Sequence, residues 1–349
     1  MDESTAISRF SKGNSPFRKV VLSEATIRFI ILGIFLVVLS LIFSSRNANF
    51  TSGNNLANIL GNASVIGIVS LGQLLVIISG GFDLSVSGTV PLGGVVFAII
   101  LNKGWSVPAA LLAAVAIAGI FGLANGILVG FVKISPLIAT LGTWYISAGF
   151  ALTLSDGVQI PFDDRADGIL SARTVFGVNN QIWIFLGISL VVTFLLRFTV
   201  FGRSLYALGG NREAARLAGI PVSAMTVSVY VISAFMGGLA GAILASQLLT
   251  GSGTAGINSA LQSIAAVVLG GAALTGGVGF VAGTLVGVII LGALSNGMSM
   301  LGIPAFFQTM ATGIVLLLAV ILSQFRKRGS FRKSEQVSSS KSQTQHPTN

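Results

Sequence analysis

Cysteine is absent from this chain of 349 residues, and histidine occurs once, at position 346 in a polar tail. Disulfides, thiol nucleophiles and thiolate or imidazole metal sites are therefore excluded or without ligands. Charge is scarce too, at 9% of residues, and acids number only ten. No G-x-x-x-x-G-K-[ST] phosphate loop occurs, so the chain does not hydrolyse nucleotides by that route. We expect no catalytic residue, no metal and no cofactor. Long polar stretches that would form a soluble domain are also missing.

What remains is apolar. Hydrophobic residues make up 53% of the chain, and the mean hydropathy is +0.90. Such values describe a protein whose solvent is the bilayer. The 44 glycines suit close packing of membrane helices. Ten apolar runs follow one another: 27–43, 59–79, 84–101, 107–132, 137–154, 182–198, 222–249, 261–274, 280–301 and 306–322. Most approach the ~20 residues a helix needs to cross the hydrocarbon layer. The eighth is short and interrupted by glycine. The fold class expected is all-α, a polytopic transmembrane bundle of about ten spans.

The net charge of +10 has a topological reading. With the N-terminus in the cytoplasm, ten spans place Arg9, Lys12, Arg18, Lys19, Arg28, Lys133, Arg197, Arg203, Arg212, Arg216 and the basic tail inside. Only Arg46, Lys103, Arg165 and Arg173 fall outside, beside Asp156, Asp163, Asp164 and Asp167. This gives a cytoplasmic segment over 1–26, a membrane domain over 27–322 with a cytoplasmic loop near 199–221, and a basic, polar tail over 323–349 near anionic lipid. No basic face with interleaved aromatics appears, so nucleic acid is not an expected partner. The first apolar run lacks a cleavage pattern and reads as a retained span.

Two segments echo one another: "NGILVGFVKISPLIATLG" (125–142) and "NGMSMLGIPAFFQTMATG" (296–313) each carry Asn-Gly, then Pro, then a span. In the topology above they run in opposite senses, the arrangement of an inverted repeat.

One charged island interrupts the apolar pattern, "GGNREAARLAGI" at 209–220. Arg212, Glu213 and Arg216 would each cost about 3 kcal/mol in lipid, so the island belongs in water. Asn211 is a fitting N-cap, 212–218 allow two helical turns, Gly219 suits a left-handed stop, and Pro221 blocks continuation. So short a helix needs packing to persist. Either it rests on its own membrane domain, or its small apolar side, Ala214, Leu217 and Ala218, enters a groove on another subunit. Ala215 is expected to approach a groove wall closely.

Asp83 is the sole acid between Glu24 and Asp156 and stands at a span boundary. It reads as an N-cap of the third span or as a gate contact. Gln73, Asn125, Gln247, Asn258, Gln262, Asn296 and Gln308 lie in or beside spans. They serve as interhelical hydrogen-bond glue, or together line a polar, uncharged path. No intramembrane carboxylate, lysine or arginine offers itself as a site of coupling to protons or sodium.

"EAARLAG" (213–219) resembles the Glu-Ala-Ala-x-x-x-Gly motif of bacterial ATP-binding-cassette importer permeases. With "ISGGFDLSVSG" (78–88), "NGILVGFVKISPLIATLGT" (125–143), "FGRSLYALGGN" (201–211) and "VVLGGAALTGGVGFVAGTLVGVIILGALSNG" (267–297), the chain is similar to the ribose-type permease family, which imports monosaccharides. The similarity covers about 50–322. It implies a subunit of the bacterial inner membrane that pairs with a second permease, the same or paralogous. A separate ATPase and an external sugar-binding protein complete the set. Asn211, Arg212, Glu213, Ala214, Ala215, Leu217 and Gly219 would then dock the ATPase. A secondary sugar transporter and a non-transport membrane scaffold are the competing readings. The sugar itself stays open among pentoses and hexoses.

Overall fold

The computed structural model describes residues 24–163, 170–175, 177–318 and 320–321. The segment 1–23, the tail from 322 onward and the loop charges Asp164, Arg165 and Asp167 lie outside the described residues.

The described chain is helical. In order come α1 (Glu24–Arg46), α2 (Gly53–Ile78), α3 (Val86–Asn102), α4 (Val107–Gly130), α5 (Pro136–Leu154), α6 (Asn180–Phe198), α7 (Val200–Gly210), α8 (Arg212–Leu217), α9 (Val222–Leu248), α10 (Ser259–Leu269) and α11 (Val281–Met300). A further helix, α12, covers Ala305–Leu318. Seven of these are long and apolar enough to cross a bilayer. Local chemistry sets the boundaries. The Ser52 hydroxyl accepts from the backbone N–H of Asn55 to start α2, proline occupies the first turn of α4 and α5, and Leu249 in a left-handed conformation closes α9.

The eighth apolar run is short and broken at its glycines, as its sequence suggests. Its helix, α10, is only 11 residues long. At the rise of an α-helix it extends about 16 Å, roughly half a hydrocarbon thickness. A glycine-rich connection over 270–280 follows, with Gly271, Gly276 and Gly277 at positive φ. The run is helix as far as Leu269 and loop beyond it.

Small residues make the bundle tight. On α4, Gly119, Gly122, Gly126 and Gly130 recur at helical spacing and face α9, where a Cβ on Gly122 would lie 2.6 Å from the Tyr230 carbonyl oxygen. Gly241 of α9 packs against the α3 backbone in the same way, with no room for a Cβ beside the Val90 carbonyl oxygen. The central helix α2 is mostly buried, whereas α1, α4, α5 and α6 keep exposed apolar faces, including Ile34, Leu112, Tyr145 and Leu190. A bilayer accounts for that exposure.

Two ends of the bundle are defined by contacts. At one, the Gly277 N–H donates to the Ile78 carbonyl (2.9 Å), Tyr206 donates to the Gly279 carbonyl (2.6 Å), and α8 lies close by. At the other, the short strands Ile160–Pro161 and Thr250–Gly251 pair, and Asn102 donates to the Pro161 carbonyl (2.9 Å). Arg46 and Lys103 belong to the second end, Lys133 and Arg212 to the first. The α4–α5 turn, with Lys133 at φ 68°, and the α11–α12 turn, with Gly302 at φ 71°, sit at opposite ends.

Candidate functional site

Helix α8 forms as its residues predict. The Asn211 carboxamide oxygen accepts from the N–H groups of Glu213 (3.1 Å) and Ala214 (3.0 Å), a cap worth about 1 kcal/mol. Gly219 follows with φ 81°. Arg216 donates to Glu213 over 2.6 Å, and that hydrogen bond, with the charge beside it, holds the Glu213 carboxyl below its usual range. The orientation of the helix, however, corrects one expectation. Ala215 is 3% exposed and packs inward on its own chain, while Leu217 is 77% exposed and Ala214 and Ala218 face outward beside it. Ala215 is thus not offered to another subunit. Beside α8 runs a groove of about 570 Å³, lined by Phe131, Lys133, Arg212, Glu213, Arg216 and the start of α9.

From this end a line of polar contacts follows one face of α9. Arg212 donates to the Thr226 hydroxyl (3.3 Å), Tyr230 to the Phe82 carbonyl (3.0 Å) and Ser233 to Asp83 Oδ2 (2.7 Å). Positions 226, 230 and 233 share a face by helical period.

Asp83 is not at a boundary. The connection between α2 and α3 folds inward, and the Asp83 carboxylate meets Ser233 of α9. By helical rise, Ser233 stands roughly 16 Å along that helix from Val222. Neither is Asp83 an N-cap in the usual sense, since Oδ1 accepts from the Ser85 N–H (3.0 Å) and the Ser85 hydroxyl (2.5 Å), a turn closed two residues on. Asn125 donates to Ser85 Oγ (2.8 Å) and accepts from Thr143 (2.7 Å). Gln73, with its amide turned to suit the groups it faces, donates to the Asp83 carbonyl (3.0 Å) and accepts from the Asp83 N–H (3.3 Å). Gln73 and Asn125 are therefore fully buried members of this network.

The other amides gather at the far end. A cleft of about 450 Å³ is lined by Gln247, Asn258, Gln262 and Asn296 together with Asn62 and Ser259. Among the described residues its lining includes no charged and no aromatic side chain. One wall is locked: Asn296 and Asn55 exchange hydrogen bonds at 2.9 and 3.1 Å, and Gln308 ties Ser295 (2.7 Å) to Ser299 (2.9 Å). Gln308 thus supports the cleft without lining it. The opposite wall, Asn62, Gln247, Asn258 and Gln262, keeps its amides unengaged among the described residues. Sequence reasoning misses Asn62 and Ser259. Asn62 is legible as an amide inside the second apolar run, but Ser259 carries no such signal.

The sequence profile described as "Branched-chain amino acid transport system / permease component" matches residues 55–320. The ribose import permease protein of Escherichia coli strain K12 is 38% identical over 293 residues, covering 83% of this chain and 91% of that protein. The chain belongs to the ribose-type permease family of bacterial ATP-binding-cassette sugar importers. The permease is also 38% identical over 303 residues to the ribose import permease protein of Bacillus subtilis, with 84% of this chain and 91% of that protein covered. To the L-arabinose ABC transporter permease protein of Azospirillum brasilense it is 35% identical over 297 residues, with coverage of 85% and 87%. No solved structure matches. The permease is a multi-pass protein of the bacterial inner membrane and a transport component.

Proposed function

We propose that this permease forms the translocation path for a neutral monosaccharide and couples it to a separate ATPase subunit through α8. A second permease, the same or paralogous, and an external sugar-binding protein complete the importer. Ten crossings with both termini in the cytoplasm fit this role, with α10 and the 270–280 connection together making the eighth. The α8 end is then cytoplasmic and the amide cleft external. The opposed α4–α5 and α11–α12 turns are consistent with an inverted repeat.

The observation that carries the reading is the uncharged amide cleft at one end of α9, with the exposed Leu217 face of α8 at the other. Polyhydroxyl ligands are recognised by amides and hydroxyls that donate and accept without charge. The family profile is described by branched-chain amino acids, whereas relatives at 35% and 38% identity are named for L-arabinose and ribose. An amino acid is a zwitterion and would leave two charges unpaired in such a cleft. Replacing Gln247, Asn258 and Gln262 by Leu, singly, is expected to lower sugar uptake at least fivefold with the ATPase still retained. Uptake at the parental rate in all three would remove the cleft from the path.

A second reading, ion-coupled secondary transport, draws on Asp83. A carboxylate buried within a membrane bundle is a common element of proton coupling. Its donors here are a backbone N–H and two serine hydroxyls, each from a fixed structural position, which suits a structural hub better.

A further inference from the structure

Two cations beside α8 are placed by hydroxyls and not by acids. Lys133 Nζ donates to Ser223 Oγ at 3.5 Å, and Arg212 donates to Thr226 Oγ1 at 3.3 Å. Both hydroxyls commit their own protons elsewhere, Ser223 to the Gly130 carbonyl and Thr226 to the Val222 carbonyl, each at 2.8 Å. They therefore face the cations as acceptors. Ser223 and Thr226 stand one turn apart on α9, where side chains are neighbours at about 5–6 Å. Lys133 comes from the α4–α5 turn and Arg212 from α8, and the start of α9 brings them together.

Charge in the groove they line does not cancel. Glu213 pairs with Arg216 at 2.6 Å, which leaves Lys133 and Arg212, neither in reach of a carboxylate among the described residues. Both are exposed, so the groove is open to a ligand. The rest of its wall is apolar. Phe131, the residue after α4, belongs to the lining and is exposed, as is Val132 next to it. The end of a spanning helix marks the depth of the lipid headgroups.

We infer that this groove binds an anionic phospholipid, with its phosphate between Lys133 and Arg212 and its acyl chains against Phe131 and Val132. Lysine and arginine both form charge-assisted hydrogen bonds to phosphate, and basic pockets between membrane helices hold such headgroups. An acidic segment of a partner protein would satisfy the cations and leave Phe131 in water, whereas a phospholipid satisfies both walls. The exposed face of α8, with Ala214, Leu217 and Ala218, is not part of the lining, so the lipid and a docked ATPase address different sides of that helix. Headgroups cover both surfaces of a bilayer, and the site holds whichever side α8 faces.

The test is native mass spectrometry of the full chain released from mixed micelles of phosphatidylglycerol and phosphatidylcholine. The parent chain should retain phosphatidylglycerol preferentially, and Lys133→Gln and Arg212→Gln should each cut that preference about fivefold. Lys133→Arg should keep it. Arg203 is an exposed cation of α7 outside the groove lining, and Arg203→Gln should change the preference by less than about twofold. An equal loss in Arg203→Gln would reduce the effect to overall charge and overturn the site. So would an unchanged preference in Lys133→Gln, whether or not that variant loses the ATPase subunit. Displacement of the lipid by millimolar inorganic phosphate would also overturn it, as the mark of a free-anion site.

Discussion

Asp83 shows how one side chain ties a membrane bundle together. Its carboxylate and the serine beside it reach α9 through Ser233, α4 through Asn125 and, beyond Asn125, α5 through Thr143. Asparagine keeps an acceptor for the Ser85 N–H and turns an amide toward Ser233, which can accept, so Asp83→Asn should insert and assemble normally. Asp83→Leu strands the Ser85 N–H and two hydroxyls, at about 1–3 kcal/mol each. We expect the leucine variant to melt about 5 °C or more below the asparagine variant in a detergent thermal-shift assay, and equal melting would contradict the hub. None of this was legible in the sequence. The lone acid was visible between Glu24 and Asp156, yet its depth depends on the inward fold of the α2–α3 connection, which no local pattern encodes.

At the scale of elements, α8 was the most legible part of the chain, because Asn211, Gly219 and Pro221 are local signals that act over a few residues. Which side it buries was not legible. Alanine occupies positions 214, 215 and 218, so the sequence shows no contrast between faces, and tertiary packing chose Ala215. The two faces predict two phenotypes. Leu217→Glu puts charge on the exposed face and should leave insertion and melting unchanged while retention of the ATPase subunit on purified complexes falls at least tenfold. Ala215→Leu overpacks the inner face by roughly 1–3 kcal/mol and should lower the melting temperature first. An ATPase that stays bound to the Leu217 variant would mean that α8 only rests on its own domain. The eighth span was legible as short and interrupted by glycine, but not where its helix stops: α10 ends at Leu269, and Gly271 just beyond it takes a positive φ.

Across the whole molecule, α9 is the element that joins the two sites. Its first turns hold α8 through Thr226, its middle holds Asp83 through Ser233, and its last turn places Gln247 in the cleft. The glycine faces of α4 and α3 pack directly on it, so a rotation of α9 would carry the cleft wall with it. On the proposed function, ATP hydrolysis by a partner subunit, and not an ion gradient acting at Asp83, drives sugar through this permease. The most direct measurement is accumulation of a radiolabelled aldose in proteoliposomes holding the permease, its ATPase and the binding protein, with ATP enclosed and ion gradients abolished by a protonophore and a sodium ionophore. Accumulation should persist with the ionophores and stop when ATP is withheld. Accumulation without ATP, driven by an imposed proton or sodium gradient and lost in Asp83→Asn, would contradict it.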